Sequence, residues 1–226
     1  MPGLLLKAAL LTAIWLAWWW AIAARLSSAV NLALIAGGAL VVYPVAWVGR
    51  KILDRHTTPG AAEWTTTLVQ CGLGLGLTIS LIRALLTQRE WGGWVLPIPK
   101  TMGVVLMWIT GAACAATVLN LALKGLGAPF FIVLSRRVAT DWLYARTRNP
   151  MALAVVAFLL SLGIWLQSAL FVLWAVVLFA PALLFFIRVF EERELEIRLG
   201  AGYLEYKART PMLIPAVHRT QRSVTR

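Results

Sequence analysis

The chain is short of acid. Its 226 residues hold nine Asp and Glu against 21 Lys and Arg, with only two His and two Cys. Charged residues make up 13% of the sequence, where soluble globular domains carry about a quarter. That scarcity argues against an ordinary soluble domain. Cys71 and Cys114 stand alone in apolar surroundings, so no disulfide framework is expected. His56 and His218 are far apart, so neither a metal centre nor a Ser/His/Asp arrangement can be assembled. The long apolar runs contain no Asp or Glu, which weighs against a proton-coupled pump, whose relays are intramembrane carboxylates.

What is present is apolar: 61% hydrophobic residues and a mean hydropathy of +0.80. A bilayer core needs roughly 20 apolar residues per helix. Runs of that order cover Leu4 to Ala24, Leu32 to Val48, Trp64 to Leu86 and Met102 to Leu123. Met151 to Phe190 adds 40 residues with one charge, Arg188, enough for two spans that turn at Gln167 and Ser168. The expected fold class is therefore all-α, a polytopic integral membrane protein of about six transmembrane helices. The first run has the charged start and Ala21-Ile22-Ala23 of a cleavable leader, but we take it as an anchor helix.

With both ends on the cytoplasmic side, 17 basic residues face inward and four (Arg25, Arg83, Arg89 and Lys100) face outward. This asymmetry satisfies the positive-inside rule with both ends cytoplasmic, and a bacterial inner (plasma) membrane is the expected location. Basic flanks attracted to anionic lipid also account for the net charge of +12, with no nucleic-acid partner needed. The polar residues Gln70, Asn120 and Gln167 are expected to hydrogen-bond between helices. The run Cys71 to Thr78, CGLGLGLT, follows no strand, so it is not a nucleotide loop. Gly72 and Gly76 have the spacing that lets membrane helices approach closely.

Chemistry is left to two polar segments on one membrane face, Lys124 to Met151 and Glu191 to Pro215, which bracket the last hairpin. Five of the nine acids fall in the second. On a helical period Glu191, Leu195, Leu199 and Tyr203 share a face, so Glu191 lines up with an apolar stripe and wants a cationic partner. Glu194 and Arg198 form an i, i+4 pair suited to a solvated face. In the first segment Pro150 disfavours helix at Asn149 and suits the first position of the next helix. Arg148 and Asn149 are thus held at a helix entry that favours an anionic group.

Arg148-Asn149-Pro150-Met151, a hairpin, then EERELEIRLGAGYLEYKARTPMLIP resembles the isoprenylcysteine carboxyl methyltransferase family, grouped with the phospholipid membrane methyltransferases. The pattern is carried by Glu191, Glu192, Leu195, Gly200, Tyr203, Tyr206, Arg209, Pro211 and Pro215, with Leu199 at a Phe position. The resemblance spans about Lys124 to Pro215. It implies a methyltransferase core over 101–215, three N-terminal spans of unknown role over 1–100, and a basic tail over 216–226.

It further implies a cytoplasmic pocket for S-adenosylmethionine, formed by the C-terminal part, and a lipophilic or prenylated acceptor entering from the bilayer. Carried over residue by residue, the cofactor is surrounded by Gly125, Gly127, Tyr144, Arg148, Asn149, Pro150, Glu191, Glu192, Leu195, Tyr203 and Tyr206. Arg148 and Arg209 position the acceptor carboxylate. Asn149 replaces a His found in eukaryotic relatives, and Ala152 stands at a common Tyr position, so the acceptor is less defined than the reaction. Two rival functions are an NAD(P)H-dependent reductase of the steroid reductase type and a non-enzymatic lipid-binding protein. A phospholipid amine or a small thiol is a rival acceptor. The number of subunits is not specified by the sequence.

Overall fold

The structure is a computed structural model that describes residues 2–88, 90, 94–123, 140 and 142–213. Gly125, Gly127, Pro215 and the basic tail lie outside the described residues.

Seven helices make up the described chain: α1 Pro2–Ala23, α2 Ser28–Arg55, α3 Pro59–Thr87, α4 Lys100–Leu123, α5 Pro150–Leu166, α6 Ala169–Leu199 and α7 Ala201–Arg209. Their starts follow local chemistry. Ser27, Thr58 and Ser168 each accept a backbone N–H of the first turn, from Val30, Ala61 and Phe171. Pro59 and Pro150 sit where a missing N–H costs nothing. Pro44 cannot bond the carbonyl of Leu40, and α2 is interrupted there, at Val41. α6 absorbs Pro181 differently, with a π-helical turn over Ala175–Phe179, and a second π turn comes at Ile187–Glu191.

Five helices are long and apolar enough to cross a membrane, α1, α2, α3, α4 and α6. The sixth expected span is α5, a 17-residue apolar helix, at the short end of what a bilayer accepts. The protein is a polytopic membrane protein. Large side chains such as Trp19 (62% exposed) and Trp108 (77% exposed) lie bare on its flank, as lipid contact requires. Its core gathers around Phe171, Trp174, Phe186 and Phe190, with the last two rings stacked at 5.7 Å.

Close approaches replace hydrophobic driving force between the helices. Gly38 and Gly76 put α2 and α3 backbone to backbone: a Cβ on Gly76 would lie 2.7 Å from the Gly38 carbonyl oxygen. Gly72, the other half of the expected pair, meets Val45 at an ordinary 3.6 Å. A Cβ on Gly103 of α4 would lie 2.5 Å from the backbone nitrogen of Trp165 in α5. Arg83, which the sequence places among outer basic residues, is in fact buried. Its guanidinium donates to Asn31 Oδ1 (2.9 Å), Ala21 O (2.7 Å) and Ala24 O (3.2 Å), tying α3 to the α1–α2 turn.

The two ends of the bundle differ. At one, Gln167 adopts a left-handed turn with φ 57 and donates to Ile98 O at 2.7 Å. That bond, with Ala169 N–H to Trp94 O at 3.0 Å, pins the α5–α6 turn to the approach of α4. Gln167 thus bonds a connecting segment and its own helix, not a neighbouring span. At the opposite end lie the segment before α5, the charged end of α6 and all of α7.

Candidate active site

The apolar run of α6 ends at Phe190, and the helix continues beyond the membrane-spanning part as the charged segment Glu191–Leu199. Gly200, with φ 58 and ψ −137, then breaks the helix and sends α7 off in a new direction. The expected continuous face of Glu191, Leu195, Leu199 and Tyr203 is therefore interrupted: Tyr203 reaches the site from α7, not from the same helix. The break is what allows α7 to fold back over the entry of α5.

That entry is clasped by the chain beyond α7. Arg148 N–H donates to Pro211 O at 2.9 Å, Thr147 Oγ1 to Met212 O at 3.0 Å and Asn149 Nδ2 to Met212 O at 3.1 Å. Tyr206 O–H donates to the carbonyl of Tyr144 at 2.7 Å. Tyr144 belongs to a short 3-10 turn, Trp142–Ala145, whose first residue holds φ 56, a conformation a bulky side chain rarely adopts. Asn149 spends its amide on the clasp, and Pro150 is buried as the first residue of α5.

Inside this clasp Glu192 Oε1 lies 2.8 Å from Arg148 Nη1, and its Oε2 lies 2.7 Å from Lys207 Nζ. Lys207 also reaches Glu196 Oε1 at 2.9 Å. Lys207 was not singled out from the sequence; its place between Tyr206 and Arg209, in a segment rich in acid, was the available signal. The Arg148–Glu192 contact is close but not aligned as a hydrogen bond, and the buried Arg148 Nε has no hydrogen-bond partner. Glu191 has no hydrogen bond or ion pair among the described residues. Burial pushes its carboxyl up to about 7, with Glu194 and Glu192 adding repulsion and Arg198 opposing them. Burial, then Glu191 and Tyr206, raise Tyr144. Tyr206 is pushed up to about 12, mainly by burial. These phenols stay protonated, able to donate hydrogen bonds.

One expectation changes. Glu194 and Arg198 are paired as the spacing predicts, yet they are buried, with side-chain exposures of 3% and 8%. The charged end of α6 packs on α3 instead of lying on a solvated face, which covers the pair. Arg209 is highly exposed, 3.4 Å from Glu205, and touches none of the Arg148–Glu192 group. Leu195 is half-buried on the same helical segment as the glutamates.

Residues 99–200 match the phospholipid methyltransferase family. The similarity covers somewhat less than half of the chain. The matched stretch takes in α4, α5 and α6, and so carries Arg148 and both glutamates. It stops at Gly200, leaving Tyr203, Tyr206 and Lys207 to be supplied from outside it, along with all of α1 to α3. A search of curated proteins and a search of solved structures each give no match.

Methyltransferases of this family use S-adenosylmethionine, which carries a sulfonium, an ammonium and a carboxylate. The side chains fit such a group: Glu191 offers an uncompensated carboxylate, and Arg148 Nε offers an unmet donor.

Proposed function

We propose that the protein transfers the methyl group of S-adenosylmethionine to a lipophilic acceptor drawn from the bilayer. What carries the reading is the division of labour between two adjacent glutamates inside the clasp. Glu192 is already neutralised by Arg148 and Lys207, so it holds Arg148 in place. Glu191 is uncommitted and faces the cofactor's positive charge. The bound sulfonium supplies an electrophilic methyl group. The residues then have to bind and align, since in-line displacement needs no metal and no covalent intermediate, and positioning accounts for much of the rate. Tyr144, Tyr203 and Tyr206 roof the site and keep water out.

For the acceptor, the first reading is the carboxylate of a prenylcysteine or isoprenoid acid. Its oxygen forms the new bond to the methyl carbon as the carbon–sulfur bond breaks, and no proton moves. Arg148 steers that carboxylate, with Arg209 at the outer rim. A second reading, an amine headgroup of a phospholipid, is favoured by Glu191: a half-buried, unpaired carboxyl near 7 can take the proton an amine must lose. The basic asymmetry of the sequence supports a cytoplasmic site with both ends inside.

Protein in vesicles, given methyl-labelled cofactor and lipid extract, should move label into the organic phase. Mild alkali then separates the readings, because a methyl ester is cleaved and an N-methyl group survives. Isothermal titration with S-adenosylhomocysteine and with NADPH tests the cofactor: heat with NADPH alone would replace methyl transfer by reduction. Heat with neither would favour a lipid-binding protein without catalysis.

A further inference from the structure

The N-terminal helices carry a groove that the methyltransferase site does not use. Pro44, Val48 and Ile52 of α2 face Trp64, Thr65 and Leu68 of α3 across an open cavity of about 440 Å³. Its floor is Gly49. A Cβ there would lie 2.8 Å from the Phe190 ring and 2.6 Å from Val69 Cγ2, so a side chain would push α2 away from α6 and α3. The walls are bare: Trp64 is 45% exposed, Leu68 57% and Val48 48%. Both α2 and α3 are long and apolar enough to cross a membrane, where such walls would meet hydrocarbon.

None of the residues lining the groove is charged, but α2 turns basic within a turn of them. Pro44, Val48 and Ile52 recur at i, i+4, and the same side of α2 runs on to Lys51 and Arg55. Arg50 and Asp54 are engaged with each other at 2.9 Å, and Asp54 with Arg193 at 2.8 Å. Lys51 and Arg55 have no ion pair among the described residues, and Lys51 Nζ rests over the Trp47 ring at 3.6 Å. An apolar groove with two cations free of ion pairs a turn beyond it matches an acyl chain followed by an anionic headgroup.

We infer that this groove holds one anionic phospholipid of the bilayer, its acyl chain between α2 and α3 and its phosphate at Lys51 and Arg55. The lipid is a resident, not the methyl acceptor, and the site stands whether or not the methyl-transfer reading does. It braces α2 where Gly49 meets Phe190, one residue before Glu191.

Trp64 reports on occupancy, read as the fluorescence difference between the unaltered protein and Trp64→Phe in phosphatidylcholine vesicles. Chain-brominated phosphatidylglycerol should quench Trp64 at a several-fold lower mole fraction than chain-brominated phosphatidylcholine. Lys51→Gln with Arg55→Gln, both at exposed positions, should remove that preference. Equal quenching by the two lipids in the unaltered protein would overturn the proposal, as would a preference that survives the double substitution. Lipid that stays with the protein after a round of labelled methyl transfer should carry no label; label there would make the groove the acceptor's.

Discussion

Replacing Glu192 or Glu191 by Gln should damage the protein in different ways, although the two are neighbours. Glu192→Gln removes the carboxylate that stands 2.8 Å from Arg148 Nη1 and 2.7 Å from Lys207 Nζ. Lys207 keeps Glu196, but Arg148 is left with no carboxylate beside it among the described residues. Breaking a buried pair by removing one partner costs on the order of 3–5 kcal/mol. The Arg148 and Glu192 side chains retain 11% and 9% exposure, which places the expectation at the lower end, about 3 kcal/mol. Glu191→Gln breaks no pair and removes a charge that burial opposes, so stability should hold or rise slightly. Its loss falls on the cofactor. A hydrogen bond to a charged group contributes about 1.5–3 kcal/mol, or roughly 10- to 150-fold in Kd. Thermal unfolding in detergent reads the first effect, and titration with S-adenosylmethionine in the absence of acceptor reads the second. A Glu191→Gln protein that melts as early as Glu192→Gln, yet binds with unchanged affinity, would refute this division of roles.

Other consequences are as direct. The carboxyl of Glu191 moves from 4.5 up to about 7 in the folded chain, so the proton it holds contributes stability that is complete below about 4.5 and lost as pH rises through about 7. Affinity for a cationic cofactor should rise over the same range, and Glu191→Gln should flatten both profiles in melting and titration experiments. Gly76→Ala drives a methyl group to 2.7 Å from the Gly38 carbonyl oxygen, and melting should show a loss of about 1–3 kcal/mol with no change in cofactor Kd. Arg209→Ala should raise the acceptor concentration needed for half-maximal rate while leaving S-adenosylhomocysteine affinity intact. A fall in that affinity instead would move Arg209 into the cofactor site.

The membrane architecture was legible because apolar length is a one-dimensional property. Run length alone located α1, α3, α4 and the α5–α6 hairpin, and the turn at Gln167 and Ser168 came with them. Pro150 marked a helix start because a missing N–H is visible in sequence. Other features depend on which helix lies next to which. Glu194 and Arg198 read as solvated by spacing and are buried because α3 covers them. Arg83 counts by sequence among the outward-facing cations and is buried because Asn31 and two carbonyls converge on it. The motif brought Arg148, Glu192, Tyr203 and Tyr206 to notice, but not Lys207, which matters only because Gly200 turns α7 back toward Glu192.

The second π turn of α6, Ile187–Glu191, sets the angular phase between two jobs done by one helix. Upstream, the helix is timed to its neighbours in the bilayer, with Phe179 and Phe186 facing the core; downstream, it is timed to Arg148. A π turn carries an extra residue, and each residue of an α-helix rotates the next by about 100°. Deleting one residue there would leave every apolar contact of the upstream part in place while rotating Glu192 away from Arg148. The coupling between span and site is thus a matter of gearing. A chain one residue shorter in this turn would insert normally yet present its glutamates to the wrong side.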